Sequence, residues 1–381
     1  MPLSYRVRAA VLAATVLVVA PFAVKAQATI KVNDSISVRF GLLSQTWIDY
    51  SQNVRQDTSY AQNIFQRRMR FIFSGQIGSK LSFFFQTDNP NLGRTGPGFV
   101  KAPGTGFILQ DGYVEIKPTS NIVMLDAGLQ LIPLCRNCIA SAASLLPIDY
   151  STYSFLQSGA TVSSVGRDVG FMAKGVFADQ KVEYRLGVFS GARLPVAPVA
   201  PAVQTGSNSV RAAGHLMINF LEAEQPSYVL PGTYLGRRKV FNIGGGFDAQ
   251  SRYKAYAGDA FLSYPFGANG MTLSGTYIHY NGDTFFPTLP KQNTYEIEGG
   301  YHFTEAKITP WAKFEARQYD DAVKTAAFQN DHRFQLGGTY YASGHNLNVK
   351  LAYTRGTFNQ LAPAPTLEQN GITMQLQAFY Y

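Results

Sequence analysis

From residue 36 onward the sequence alternates between apolar and polar positions. In the final stretch, ITMQLQAFYY, Ile372, Met374, Leu376, Ala378 and Tyr380 hold one parity, and Thr373, Gln375, Gln377, Phe379 and Tyr381 the other. A period of two is that of an extended strand, whose successive side chains leave on opposite faces. The alternation recurs in about sixteen segments, near 36–50, 63–77, 80–88, 107–117, 121–131, 165–178, 181–190, 210–221, 238–249, 256–264, 271–280, 292–303, 308–319, 331–341, 347–356 and 370–381, with Gly, Pro, Asn and Asp at the breaks. In KVEYRLGVFSG, Val182, Tyr184, Leu186 and Val188 lie opposite Lys181, Glu183 and Arg185. No segment reads as an amphipathic helix.

The connections alternate in length. Short turns at 78–79, 118–120, 178–180, 267–270, 304–306 and 342–346 are interleaved with polar or Pro/Gly-rich links at 51–62, 89–106, 132–164, 191–209, 281–291, 320–330 and 357–369. Short turns at one end and long loops at the other are the pattern of an outer-membrane barrel, with an even strand number and both termini at the short-turn end. The link at 250–255 is shorter than this scheme asks, and 222–237 is longer. Aromatics at segment ends (Tyr50, Phe65, Tyr264, Tyr280, Tyr301, Phe303, Tyr340, Tyr353, Tyr380) suit two interfacial girdles. A soluble multi-sandwich would have to bury oily faces from every strand against one another. A closed barrel instead gives those faces to lipid and satisfies each backbone group internally. The expected fold is therefore all-β: a transmembrane antiparallel β-barrel of about sixteen strands, its long third loop folded into the lumen.

The N-terminus decides the compartment. Arg6 and Arg8 precede an apolar run, Ala9 to Val24, and Val24-Lys25-Ala26 reads as a small-residue cleavage site. Residues 1–26 are thus expected to be a secretory signal peptide rather than a spanning anchor, since the run holds Pro21 and is short. Residues 27–381 are expected to form a single barrel domain in the bacterial outer membrane. The full chain has 33 Lys+Arg against 24 Asp+Glu. Losing Arg6, Arg8 and Lys25 leaves a net charge of +6, without the basic blocks that bind nucleic acid. Cys135 and Cys138 form a lone CxxC in an exported chain. A loop disulfide is favoured over free thiols, and over a metal site, for which scattered histidines offer no further ligands at suitable spacing.

From about residue 60 the chain resembles the phosphate-selective porin O and P family. The resemblance is carried by FQRRMRFIFSGQIGSKLSFFFQTD (65–88), DGYVEIKP (111–118), DAGLQLIPL (126–134), GRDVGFMAKG (166–175), VEYRLGVFSGAR (182–193) and PGTYLGRRKVFNIGGGFDAQ (231–250). It implies a sixteen-stranded, usually trimeric channel that lets small hydrophilic solutes diffuse, some members selecting anions such as phosphate with arginine and lysine rows. The family often carries charges before its third loop. Here Gly128 to Leu134 carries none, and 132–164 holds only Arg136 and Asp149.

Alternation places Arg39, Arg68, Arg70, Lys174, Arg185, Lys313, Arg317, Arg333 and Lys350 toward the lumen, with Lys117, Lys181 and Arg211. The same rule places Asp49, Asp88, Asp111, Glu115, Asp126, Asp168, Glu183, Asp248, Asp259, Glu296, Glu298 and Glu315 there, so the two signs balance. With Arg136 of the long loop, the first nine are the pore-lining candidates. Each serves either as part of a charged ring that biases ion passage or as one half of a salt bridge bracing the wall. A weak anion preference is expected, with phosphate as a candidate solute. The oily loop 132–164 is expected to pack inward as the constriction.

No GxSxG or Walker motif occurs, and GRTGPG (93–98) lies in a loop rather than between strand and helix. No catalytic residue, cofactor or metal is expected. The expected partners are outer-membrane lipid and lipopolysaccharide, small anionic or neutral solutes, and two further copies in a homotrimer. The competing readings are a channel for hydrophobic or sugar-like compounds and, less favoured, a barrel enzyme with a Ser/His pair on its rim.

Overall fold

The computed structural model describes residues 28–52, 59–95, 106–118, 121–160, 165–192, 209–224, 227–361 and 363–381. Residues 1–26, expected to be a signal peptide, lie outside them. A short N-terminal strand, β1 (Ala28–Asn33), precedes β2 (Ile36–Gln52), β3 (Tyr60–Ile77), β4 (Leu81–Asp88), β5 (Ile108–Ile116), β6 (Met124–Leu131), β7 (Arg167–Phe177), β8 (Val182–Phe189) and β9 (Arg211–Asn219). The second half comprises β10 (Val240–Gln250), β11 (Tyr253–Phe266), β12 (Asn269–Asn281), β13 (Gln292–His302), β14 (Ile308–Tyr319), β15 (Asp331–His345), β16 (Leu347–Phe358) and β17 (Leu367–Tyr380).

Each of β2 to β17 pairs antiparallel with its neighbour in sequence, and β17 returns to pair with β2 from Gly371↔Ser51 to Tyr380↔Leu42. The result is a closed sixteen-stranded barrel, which leaves no open sheet edge around its circumference. All sixteen expected segments coincide with β2 to β17, their ends differing by at most four residues.

The period of two sorts the faces as expected. Ile64, Phe71, Phe171, Leu186, Ile297, Leu351 and Ile372 are exposed on the outside, whereas Gln45, Lys174, Arg185, Glu298, Lys313 and Gln375 are buried on the inside. An outer face of this kind belongs in hydrocarbon. Tyr50, Tyr60, Tyr256, Phe266, Tyr277, Tyr295, Phe303 and Tyr353 are exposed there as well. Two residues assigned to the girdles are corrected: Phe65 and Tyr280 are buried. Tyr280 has the parity of Thr272 and Thr276 and donates its hydroxyl to the Tyr153 carbonyl. Lys181 is also corrected, lying exposed in the turn before β8 instead of in a strand.

Three features escaped the alternation. First, β1 folds back onto β2 through the turn at Asp34–Ser35, pairing Ala28↔Phe40 through Asn33↔Ile36. Second, two β-bulges break the parity. Gln45 pairs with Arg68 while Thr46 pairs with Gln66, so Arg67 is an extra residue; likewise Gln86 pairs with Asp111 while Thr87 pairs with Leu109, leaving Gln110 extra. Third, the links that fitted the scheme poorly have structural causes. Only Ser251 and Arg252 separate β10 from β11, and part of the long link after β9 contacts the third loop.

Candidate functional site

The segment after β6 is too oily to remain in water, and it packs on the polar faces of the strands. Residues 131–149 are almost all buried, including Ile132, Leu134, Ile139, Leu145, Leu146 and Ile148. Side chains from the wall bind its carbonyls. Lys350 Nζ donates to Leu145 O at 2.6 Å and Pro147 O at 2.7 Å, Gln45 to Ala142 O, Gln377 to Ala143 O, and Lys313 Nζ to Asp149 O and Tyr150 O. On β10, Gly246 turns its bare Cα to the segment, and a Cβ there would collide with the Leu134 carbonyl. A disulfide joins Cys135 to Cys138 within the buried cluster that includes Leu134, Tyr253 and Tyr280.

A second segment approaches from the opposite mouth. In the link between β9 and β10, Leu230 N–H donates to Ile139 O and Leu230 O accepts from Ser141 N–H. Arg185 donates to the Ser227 and Tyr228 carbonyls, and Arg136 pairs with Glu224 and donates to Pro231 O. The third loop is therefore held by the wall and by a strap from the short-turn end.

Two cavities lie beside this assembly. One, of about 500 Å³, faces the short-turn end; its charged lining is Arg39, Arg70 and Lys117 against Glu115. The other, of about 530 Å³, faces the long-loop end, with Arg67, Arg68, Arg94, Lys313 and Arg333 against Asp49 and Asp149. Cations outnumber carboxylates in both described linings.

The candidate cations separate into three groups. Lys174 (with Glu115 and Asp126), Arg185 (with Glu183) and Arg136 (with Glu224) are buried in ion pairs, and Lys350 is buried under the third loop; these four line neither cavity. Arg68 pairs with Asp149, Arg70 with Asp88, Lys313 and Arg333 with Glu315, and Arg317 with Asp331, while the first four also reach a cavity. Arg39 has no carboxylate within 4 Å among the described residues, and neither has Arg94, a residue that alternation did not select. Their guanidinium groups lie 5.5 Å from the Tyr381 ring centroid and 5.4 Å from that of Phe65.

Sequence reasoning also missed Arg67 and Arg167. The bulge in β3 turns Arg67 inward beside Arg68, and both bind Asp149 of the loop. Burial disfavours the Asp149 carboxylate, but the two arginines outweigh it and hold its pKa well below the ordinary range. Arg167, at the first position of β7, pairs with Asp111 on β5, next to the extra residue Gln110 of the other bulge. An adjacent arginine pair in FQRRMR was visible, but strict alternation sends one member outward.

The whole barrel is similar to solved outer-membrane channels. An anion-selective porin from Comamonas acidovorans has a TM-score of 0.59 at 12% identity, with 91% of this chain and all of that one covered. OmpT of Vibrio cholerae, in a trimer form, gives 0.55 at 11%, covering 91% and 100%. The DcaP channel of Acinetobacter baumannii gives 0.58 at 9%, covering 92% and 99%. No curated protein matches the chain. Identities this low speak for the fold alone, but family membership has a separate basis. The model of the Gram-negative porin family matches residues 13–377, nearly the entire chain, and the protein belongs to that family.

Proposed function

We propose that this outer-membrane porin passes small hydrophilic solutes by diffusion with a weak preference for anions, inorganic phosphate among them. The observation that carries the preference is the excess of cations over carboxylates in both cavities. Lumen charge at the narrow part biases which ions enter. Segment 132–160 is proposed as the constriction, since its anchors are inward-facing residues of β2, β14, β16 and β17. The anion selectivity named for the Comamonas acidovorans porin and the trimer form named for the Vibrio cholerae protein support an anion-preferring homotrimer here.

Planar-bilayer reversal potential in a potassium chloride gradient tests the reading. The wild type is expected to show a chloride-directed potential, reduced or reversed in Arg39→Glu/Arg94→Glu. These two are chosen because reversing Arg68 or Arg70 would also break the pairs with Asp149 and Asp88. A wild-type potential at zero or on the potassium side sinks the anion preference.

A further inference from the structure

The short-turn cavity carries an aromatic wall that a polar porin lumen does not require. Phe84 on β4 is within stacking or edge distance of three tyrosines, with centroid separations of 5.8 Å to Tyr113, 5.3 Å to Tyr228 and 6.3 Å to Tyr381. Tyr113 and Tyr228 are 4.7 Å apart. All four rings contribute to the cavity lining. They come from four separate parts of the chain: two strands, the strap and the C-terminal residue.

The rings are held in place. Tyr228 donates its hydroxyl to Asp111 and accepts from Leu131 N–H, and Tyr381 donates to Ser74 Oγ at 2.8 Å. Beside Tyr381 lies Arg39, with no carboxylate partner among the described residues and a buried Nε that makes no hydrogen bond. A rigid π surface next to an unneutralised forked cation is a two-part recognition element. The rings favour a flat apolar body, and the guanidinium favours a carboxylate it can grip with two N–H groups. A cavity of about 500 Å³ is the size of a small-ligand site.

We propose that this wall is a binding subsite for an aromatic carboxylate, its ring seated against Phe84, Tyr228 and Tyr381 and its acid group on Arg39. The inference deepens the anion-channel reading and rests on it by naming a solute class that the lumen retains in transit. An aliphatic acid of the same size would satisfy Arg39 and leave the rings without a partner of matching shape. A neutral aromatic would do the reverse.

Calorimetric titration of the detergent-solubilised protein with benzoate, cyclohexanecarboxylate and benzamide tests it. Benzoate is expected to bind about tenfold tighter than either analogue. Phe84→Leu should close the gap to cyclohexanecarboxylate, and Arg39→Gln the gap to benzamide, with folding of each variant checked by its heat-dependent migration in gels. Equal wild-type affinities for the three compounds overturn the subsite without needing a folded variant, as do variants that keep both gaps. Bilayer recordings separate the two levels. Benzoate binding without any ion current would sink the channel reading and leave the subsite, whereas ion current with no benzoate preference would sink the subsite alone.

Discussion

Lys350→Met asks whether one side chain holds the third loop against the wall. Lys350 is only 2% exposed, and its Nζ donates to two buried carbonyls, Leu145 O and Pro147 O, at 2.6 and 2.7 Å. Charge-assisted hydrogen bonds contribute about 1.5–3 kcal/mol each, so the pair sets an upper bound of roughly 3–6 kcal/mol. Methionine keeps most of the stem and leaves little cavity, but it strands both carbonyls in an apolar setting. Relief of the buried ammonium's desolvation offsets part of the loss, leaving a net cost of about 2–4 kcal/mol. At about 1.4 kcal/mol per tenfold, the unseated loop should become on the order of 30- to 1,000-fold more populated. Gln45, Gln377 and Lys313 still bind neighbouring carbonyls, so the barrel itself should remain folded. Single-channel recording should then show brief higher-conductance openings absent from the wild type, and protease should nick the loop faster. Lys350→Arg, which retains the donors, should sit between the two. Traces and nicking rates equal to wild type would mean that the Lys350 contacts do not hold the segment.

The Asp149 anchor carries a pH signature. Its pKa is lowered in the fold, so its stabilisation is complete above the unfolded carboxylate value of about 4 and is lost only as pH falls through the lower folded value. Conductance of the wild type should accordingly be flat from pH 7 to pH 5, whereas Asp149→Asn should raise current noise already at pH 7; a wild-type change between pH 7 and 5 that matches the variant refutes this. Gly246→Val tests the close approach of Leu134, where a Cβ must displace backbone. Overpacking of about 1–3 kcal/mol should lower the thermal midpoint and raise conductance, while Gly245→Val, on the outward face with only the Ala257 carbonyl near, should do neither. Indistinguishable behaviour of the two valines would place the loop away from β10.

Much of the fold was legible because a barrel strand has one dominant constraint, lipid on one side and water or loop on the other. Alternation therefore located β2 to β17, and it correctly sent Arg185 and Gln375 inward. It failed where registry rather than parity decides. Nothing in QRRMR marks the residue that becomes the bulge, yet the bulge is what turns Arg67 toward Asp149. Ion pairing was similarly hidden. Lys174 meets Glu115 and Asp126 across neighbouring strands, and Arg136 meets Glu224 from a distant link, so neither partner follows from sequence spacing. The unusual length of 222–237 was noticed, but only the pairing of Leu230 with Ile139 and Ser141 explains it.

The pairing of β1 gives the barrel wall an unexpected continuity. Strand β17 descends along β2 as far as Tyr380↔Leu42, and β1 takes up the same edge at Ala28↔Phe40, running in the same direction to Asn33↔Ile36. Gly41 lies at the junction, where a Cβ would crowd the Tyr380 carbonyl and the Tyr381 ring. Strands β17 and β1 thus form successive parts of one virtual strand along a single edge of β2. Topologically the wall is a ring without a privileged first strand. A circular permutant of residues 28–381 that joins Tyr381 to Ala28 through a short linker and opens at the 267–268 turn is expected to keep the strand ladders, exchanging only the order in which the strands leave the ribosome.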